Sequence, residues 1–86
     1  MFVILVYDVK QKRVSVVHKI CKKYLHPIQN SVFEGDITRK KLKDLQSELM
    51  GRIDIDYDAV CFYITSGEQR ISKAQIGVHK DYSNIL

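Results

Sequence analysis

The sequence has few of the features that usually stabilise a small domain. It contains only two cysteines, Cys21 and Cys61, and no C-x-x-C pair. Its three histidines, at positions 18, 26 and 79, lack the paired spacing of a zinc site. We therefore expect reduced cysteines within the core and neither a disulfide framework nor a structural zinc. A chain of 86 residues buries a thin core of its own, so a partner chain is the leading remaining source of stability.

Long apolar segments and targeting signals are also missing. The longest apolar run, Met1 to Tyr7, is far shorter than the ~20 residues of a membrane-spanning helix. It also lacks the basic region and cleavage site of a secretory signal. Neither a glycine-rich phosphate loop nor a nucleophile elbow is present, which argues against P-loop and serine-hydrolase chemistry. We expect a cytoplasmic protein with no membrane partner.

Acidic residues are absent between Asp8 and Glu34, although the net charge of the chain is only +4. The intervening segment carries its bases at Lys10, Lys12, Arg13, Lys19, Lys22 and Lys23. A stretch this one-sided suits a polyanion such as nucleic acid, whose phosphates are bound by Lys and Arg. A solvated helix face in a mildly basic protein explains the same pattern equally well.

The apolar periodicity changes several times along the chain. Residues 2–7 form a continuous apolar run that predicts a central strand covered on both faces. Apolar residues then recur at helical spacing until Pro27, which ends the helix near Leu25. Residues 28–37 are expected to form one kinked strand or two short strands. A second helix follows, capped by Thr38 or Asp36, with an apolar stripe of Leu42, Leu45, Leu49 and Ile53. The last expected elements are a strand over 59–64, a turn at 66–68 and a short strand near 75–79.

This order predicts a single α+β domain over residues 1–86. The succession β-α-β-β-α-β, with an extra C-terminal strand, is that of a ferredoxin-like sandwich with both helices on one face of an antiparallel sheet. Such a sheet has a bare second face, whereas the first strand is apolar enough to be buried on both sides. A two-fold homodimer that stacks two sheets resolves this conflict.

Asp8 is the most informative single residue because it ends this apolar strand. A carboxylate there is costly to bury unless it is solvated, paired or bound to a cation, and Mg²⁺ is the cation that suits it. An N-cap role for the following helix is the alternative. One carboxylate is a poor metal site, but Asp8 and its copy in a symmetric dimer could share one ion.

The later acidic cluster, Asp54, Asp56 and Asp58, opens like a calcium-binding loop. Ala59 and Thr65 occupy the positions where that loop requires Gly and Glu, so we reject a calcium site and expect a solvated turn.

Two segments together carry a resemblance to a known family. The first is Tyr7-Asp8-Val9 after the apolar strand, followed by a basic helix with Arg13; the second is residues 29–35, QNSVFEG. With the closing residues 83–86, they resemble the small CRISPR-associated endoribonuclease family, the smaller protein of the spacer-acquisition complex. One departure is Ser15, where many members carry a second Arg.

The resemblance implies a fold, an activity and partners. The fold is a ferredoxin-like homodimer whose C-terminal strand, about residues 75–80, packs on the partner chain. The activity is Mg²⁺-dependent cleavage of single-stranded RNA or double-stranded DNA, with Asp8 of each chain as the catalytic and metal-binding residue. The partners are RNA or duplex DNA and the CRISPR integrase subunit, in antiviral defence.

The resemblance also implies roles for the residues around Asp8. Arg13 and Lys12 are expected to hold the phosphate backbone, while Tyr7, Ser31 and Phe33 shape the site. A non-catalytic DNA-binding scaffold of the integration complex is the alternative function. A toxin-like ribonuclease of the same fold is a third.

Overall fold

The elements follow the expected order in the computed structural model, which describes residues 1–65 and 70–78. They are β1 (Phe2–Asp8), α1 (Gln11–Tyr24), β2 (His26–Gln29), β3 (Val32–Asp36), α2 (Arg39–Met50), β4 (Ala59–Thr65) and β5 (Ile71–Gly77). The strands form one sheet in the order β2-β3-β1-β4-β5, and every neighbouring pair is antiparallel. The expected ferredoxin-like α+β fold with an extra C-terminal strand is confirmed.

β1 lies at the centre of the sheet, as its apolar run predicts. It pairs with β3 on one side and with β4 on the other, where the register runs from Phe2 opposite Thr65 to Asp8 opposite Ala59. Successive side chains of a strand alternate between the two faces of the sheet. Val3, Leu5 and Tyr7 are buried in the core formed with the helices. The intervening side chains point to the face turned away from the helices, which we call the open face.

The open face is apolar around β1, although Glu34, Lys73 and Gln75 share it by register, and the described residues cover it only partly. Ile4 and Val6 of β1 and Val32 of β3 are half-buried there. Their neighbours Ala59 and Cys61 on β4 are fully buried in a small second cluster. The described part of the chain therefore has one complete core, beneath the helices, and one incomplete apolar layer on the opposite side of the sheet.

Both helices pack on the same face of the sheet through apolar stripes. The buried residues are Val17, Ile20 and Cys21 of α1 and Leu42, Leu45 and Leu49 of α2. The Thr38 hydroxyl accepts a hydrogen bond from the Lys41 N–H at 3.1 Å, so Thr38 rather than Asp36 is the N-cap. In the described part of the chain, neither helix is long and apolar enough to span a membrane.

Several boundaries differ from the sequence expectation. The segment predicted as 28–37 is two strands, and the first begins earlier, at His26, and includes Pro27. Proline is tolerated there because β2 is an edge strand. Ile53 was expected in the stripe of α2 but lies in the turn after it, where it still packs against the core.

The last described strand also begins earlier in the sequence than expected. β5 begins at Ile71, four residues before the predicted start, because its whole length pairs with β4. The predicted turn at 66–68, the last two positions of the predicted 75–80 strand, and the closing segment 83–86 lie outside the described residues.

The two cysteines are buried and free, as expected. Cys21 is a residue of α1 and packs into the core beneath the helices, whereas Cys61 belongs to the cluster on the open face. The sheet therefore separates the two thiols. Burial raises the pKa of the Cys21 thiol to about 12, which keeps it protonated at neutral pH.

Gly77 ends β5 with a φ of 89°, a conformation that L side chains rarely adopt. A Cβ at this position would lie 2.0 Å from the Asp58 carbonyl oxygen, which accepts a hydrogen bond from the Val78 N–H. We predict that Gly77→Ala lowers the free energy of unfolding by about 2 kcal/mol or more, through backbone strain and displacement of β5. Urea denaturation at a fixed protein concentration measures this change.

Gly51 supplies the matched control because its φ is −77° and an added Cβ meets only ordinary contacts. Gly51→Ala should leave stability unchanged or raise it by up to about 1 kcal/mol. Equal effects of the two substitutions would contradict the strain argument.

Candidate functional site

The end of β1 is held from both sides, and this fixes the position of Asp8. On one side the Tyr7 N–H donates to the Ser31 carbonyl at 3.1 Å, and the Tyr7 hydroxyl donates to the Asn30 carbonyl at 3.0 Å. On the other side Asp8 lies opposite Ala59 of β4. Asp8 itself is exposed, on the open-face side of the strand end. An exposed carboxylate is thus presented from a strand that is paired on both sides.

The predicted site-shaping residues come together beneath this strand end. The Tyr7 and Phe33 rings lie 6.2 Å apart between centroids, and His18 of α1 contacts Phe33 edge-on at 5.1 Å. Burial, with a smaller contribution from Cys21, raises the pKa of the Tyr7 hydroxyl, so this group remains a hydrogen-bond donor at neutral pH. Ser31 contributes its backbone carbonyl to this arrangement.

Asp8 does not cap α1. The N-cap position belongs to Lys10, and no side chain of the described residues forms the capping hydrogen bond there. The Lys10 N–H donates instead to Oδ1 of Asp58 at 2.9 Å. The N-cap interpretation of Asp8 is therefore wrong, because a carboxylate from the distant loop before β4 occupies the start of the helix.

Asp58 is the site residue that the sequence analysis missed. Its side chain is 0% exposed, so the expectation that the acids of 54–58 form a solvated turn is wrong for this residue. The Arg13 guanidinium donates to it as a fork, from Nε to Oδ2 and from Nη2 to Oδ1. The Asp54 N–H donates to Oδ2 at 2.8 Å. Both carboxylate oxygens are fully engaged by the turn, the helix start and the guanidinium.

The hydrogen bonds decide the protonation state of Asp58. Burial alone raises the pKa of a carboxyl group, but the bonds from Arg13 and from the Asp54 and Lys10 amides outweigh it and lower the pKa of Asp58 to about 2. The same ion pair raises the pKa of Arg13. Asp58 is a permanent anion at neutral pH.

The sequence did contain a signal for Asp58. This residue stands directly before the apolar strand 59–64, just as Asp8 stands directly after an apolar strand. Burying a carboxylate next to an apolar strand is costly unless the carboxylate is solvated, paired or bound to a cation, and this holds for Asp58 as it does for Asp8.

Arg13 and Lys12, both predicted to bind phosphate, have different surroundings. Arg13 has only 17% of its side chain exposed and is committed to Asp58. Lys12 is exposed and lines a recess of about 350 Å³ together with Lys10, Asp54 and Tyr57. The Lys10 ammonium lies 5.4 Å from the centre of the Tyr57 ring. This recess carries the cations that a phosphate backbone would meet beside the turn that follows Asp8.

A larger cleft of about 620 Å³ lies on the other side of the strand end, between α1 and β2. We call it the α1–β2 cleft. Its polar lining is Tyr7, Gln11, His18, Gln29 and Asn30, and its apolar lining is Val14, Pro27 and Ile28.

The described residues of one chain do not assemble a metal site by themselves. No group of three or more His, Cys, Asp or Glu side chains comes together among them. Asp8 nevertheless offers hard carboxylate oxygens at an exposed position, and Mg²⁺ uses one or two carboxylates and completes its shell with water and phosphate oxygens. The donor chemistry therefore fits Mg²⁺ if a second carboxylate arrives from a partner chain.

The low pKa of Asp58 gives a pH dependence of stability. Because the pKa of folded Asp58, about 2, lies below its ordinary value of 3.8, its stabilisation is present above about pH 4 and is lost as the pH falls through about 2. We predict that Asp58→Asn lowers stability at pH 7 by about 1–3 kcal/mol, because the buried carboxylate loses its charge-assisted hydrogen bonds and the half-buried Arg13 loses its anion. Urea denaturation between pH 7 and pH 2 measures both effects.

The exposed Asp56 supplies the matched control. Asp56→Asn should keep the wild-type acid dependence, whereas Asp58→Asn should flatten it below pH 4. Parallel stability curves for wild type and Asp58→Asn over this range would contradict the assignment.

Comparisons with known proteins agree on one family. The model of the family "CRISPR associated protein Cas2" matches residues 1–73. The chain is 42% identical over 86 residues to CRISPR-associated endoribonuclease Cas2 3 of Thermodesulfovibrio yellowstonii, covering 99% of this chain and 98% of that one. It is 41% identical over 80 residues to CRISPR-associated endoribonuclease Cas2 of Thermotoga maritima, covering 93% and 92% of the two chains.

Solved structures give the same result for the fold. A crystal structure of a Cas2 protein matches with a TM-score of 0.74 and 40% identity, over 96% of this chain and 91% of that one. Streptococcus pyogenes Cas2 matches with a TM-score of 0.70 and 35% identity, over 77% and 87%. By sequence along most of its length and by the arrangement of its sheet and helices, the chain belongs to the Cas2 family of CRISPR-associated proteins.

Proposed function

We propose that this protein is a Mg²⁺-dependent endonuclease of CRISPR spacer acquisition, cutting single-stranded RNA or double-stranded DNA, with Asp8 as its catalytic carboxylate. The observation that carries the proposal is the exposed Asp8 at the end of the central strand, fixed by hydrogen bonds on both sides. Its relatives from Thermodesulfovibrio and Thermotoga are named endoribonucleases, which supports nuclease chemistry.

The incomplete apolar layer supports a homodimer as the active unit. Ile4, Val6 and Val32 remain half-buried on the open face, and a second copy stacked there would complete their burial. The same two-fold axis would bring the two Asp8 residues towards each other. Packing of the C-terminal strand, about residues 75–80, on the partner's sheet belongs to this proposed dimer.

Asp8 and its copy in the partner are the residues that would hold Mg²⁺. A bound Mg²⁺ supplies an activated water and neutralises charge on the scissile phosphate. Lys12, exposed beside the turn after Asp8, holds the phosphate backbone of the substrate. Arg13 forms its ion pair with Asp58, and Asp58 in turn fixes the start of α1 and thereby the position of Lys12. A direct contact between Arg13 and a phosphate stays a prediction.

Tyr7, Ser31 and Phe33 shape the site from below. Their hydrogen bonds and ring contacts hold the strand end in place, so that Asp8 does not move when substrate binds. We place the protein in the cytoplasm, where its two buried thiols stay reduced.

A non-catalytic scaffold that binds duplex DNA and the CRISPR integrase subunit is the second candidate. α1 favours it, because this helix contains no acid and its Lys12, Lys19 and Lys22 are all exposed. Such a surface binds phosphates without any metal.

We predict that Asp8→Asn abolishes Mg²⁺-dependent cleavage, because the amide cannot replace the charged carboxylate as a metal ligand. The fold and the dimer should persist, since the side chain is exposed. The measurement is cleavage of labelled RNA, single-stranded DNA and duplex DNA with Mg²⁺ and with EDTA.

Asp56→Asn is the matched control and should cleave like wild type. Undiminished cleavage by Asp8→Asn would overturn the catalytic assignment. If Asp8→Asn still binds duplex DNA and the integrase subunit and still supports spacer insertion, the scaffold is the relevant function.

We predict that Ile4→Asp converts the dimer to a folded monomer, because a charge at the centre of the open face would be desolvated in the interface. Ile55→Asp is the control, since Ile55 is 53% exposed on the loop before β4. Light scattering coupled to size exclusion gives the mass, and circular dichroism confirms folding. A monomeric wild type, or an Ile4→Asp variant that remains dimeric, would contradict the proposed interface.

A further inference from the structure

We propose that the α1–β2 cleft binds one unpaired nucleobase and thereby selects single-stranded nucleic acid. This inference rests on the proposed function, since it concerns how a nuclease substrate is presented to Asp8. Tyr7 lines the cleft, and the side chain of the next residue, Asp8, points to the opposite face of the sheet, so a base held there lies across the strand end from the carboxylate.

The size of the cleft fits such a ligand. Its volume of about 620 Å³ lies within the range of about 300–1,000 Å³ typical of small-molecule sites. A nucleobase with its ribose occupies only part of that space, which leaves room for the chain to enter and leave.

The polar lining matches the edge of a base. Gln11, Gln29 and Asn30 line the cleft, and their side-chain amides, exposed to solvent, form no hydrogen bond within residues 1–65 and 70–78. Each amide offers both donors and an acceptor, as do the Watson–Crick edges of the bases. The Tyr7 hydroxyl donates to the Asn30 carbonyl and so fixes the turn that carries Asn30, directly after Gln29 at the end of β2.

The cleft lacks full charges, which distinguishes it from the phosphate-binding recess at Lys12. None of its lining residues is Asp, Glu, Lys or Arg. A neutral lining with amide groups favours an uncharged, planar, hydrogen-bonding ligand over a phosphate. Its apolar walls, Val14, Pro27 and the 49% exposed Ile28, offer aliphatic contact to the face of a base.

Positive charge stands next to the cleft, where the phosphates of the same strand would pass. Gln11 and His18 lie on one stripe of α1, and Lys22 follows one turn after His18 on that stripe, about 6 Å away between Cβ atoms. Lys22 is exposed. The base would lie inside the cleft while the flanking phosphate remains outside with the lysine.

A duplex cannot use this site without opening. The Watson–Crick edge of a paired base is occupied by its partner, so entry into the cleft requires unpairing, which costs a few kcal/mol. The cleft therefore predicts preference for single strands through geometry rather than through charge, because duplex and single strand both carry phosphates.

The test measures binding without cleavage. Fluorescence anisotropy is recorded in EDTA, at fixed salt, with labelled RNA hexamers, DNA hexamers and a short duplex. The proteins are Asp8→Asn, Asp8→Asn with Gln11→Ala and Gln29→Ala, and Asp8→Asn with Gln46→Ala. Gln46 is the matched control because it is a helical glutamine on α2, outside the cleft.

We expect the double glutamine substitution to weaken single-strand binding about tenfold, corresponding to two lost hydrogen bonds, and Gln46→Ala to change it less than twofold. The NMR signals of the His18 ring should shift when a hexamer is added and stay in place with the duplex. Loss of binding to RNA and DNA hexamers alike identifies the base as the ligand, and loss confined to RNA adds a ribose contact; both support the site.

Equal affinity for duplex and single strand, or an unchanged affinity after the double substitution, would overturn the proposal. This result is separate from the nuclease assignment, because binding is measured without metal in the Asp8→Asn background. Conversely, undiminished cleavage by Asp8→Asn would remove the catalytic role of Asp8 and leave the base site intact.

Discussion

The rest of the structure depends on the buried carboxylate of Asp58. A charged group without solvent would be destabilising by itself, but four N–H donors from three residues surround this one and tie separate segments of the chain together. Arg13 and the Lys10 amide tie it to the start of α1, and the Asp54 amide ties it to its own loop. Its backbone carbonyl accepts from Val78 at the end of β5. One residue thereby fixes the helix start, the loop before β4 and the last described strand.

The contacts of Asp58 also help to position the residues of the candidate site. Asp8 and Asp58 flank the same strand pair, but Asp8 is exposed on the open-face side whereas Asp58 is buried beside α1. Their environments give two carboxylates two tasks. The exposed one is the carboxylate for which we propose metal binding, while the buried one holds the turn between β1 and α1 in place.

Much of the fold could be predicted from the sequence, because it depends on local patterns. The apolar run of β1, the stripe of α1 and the cap at Thr38 are signals carried by a few neighbouring residues. The site was harder, because its geometry depends on contacts between distant segments. Arg13 and Asp58 are 45 positions apart, and nothing near Arg13 shows that its charge is already committed. The α1–β2 cleft likewise exists only once residues 27–30 fold back beside α1.

The two edges of the sheet differ in their capacity to accept another strand. On the β2 edge, Pro27 has no N–H and the register with β3 shifts between Pro27 and Gln29. On the β5 edge, the strand pairs in regular register with β4 from Ile71 to Gly77. Among the described strands, the β2 edge is therefore a poor template for another strand. The β5 edge keeps a regular row of main-chain donors and acceptors. A strand supplied by a second copy or another partner would extend the sheet on the side of β5, away from the α1–β2 cleft. Assembly and the proposed base binding would then use opposite ends of the same sheet.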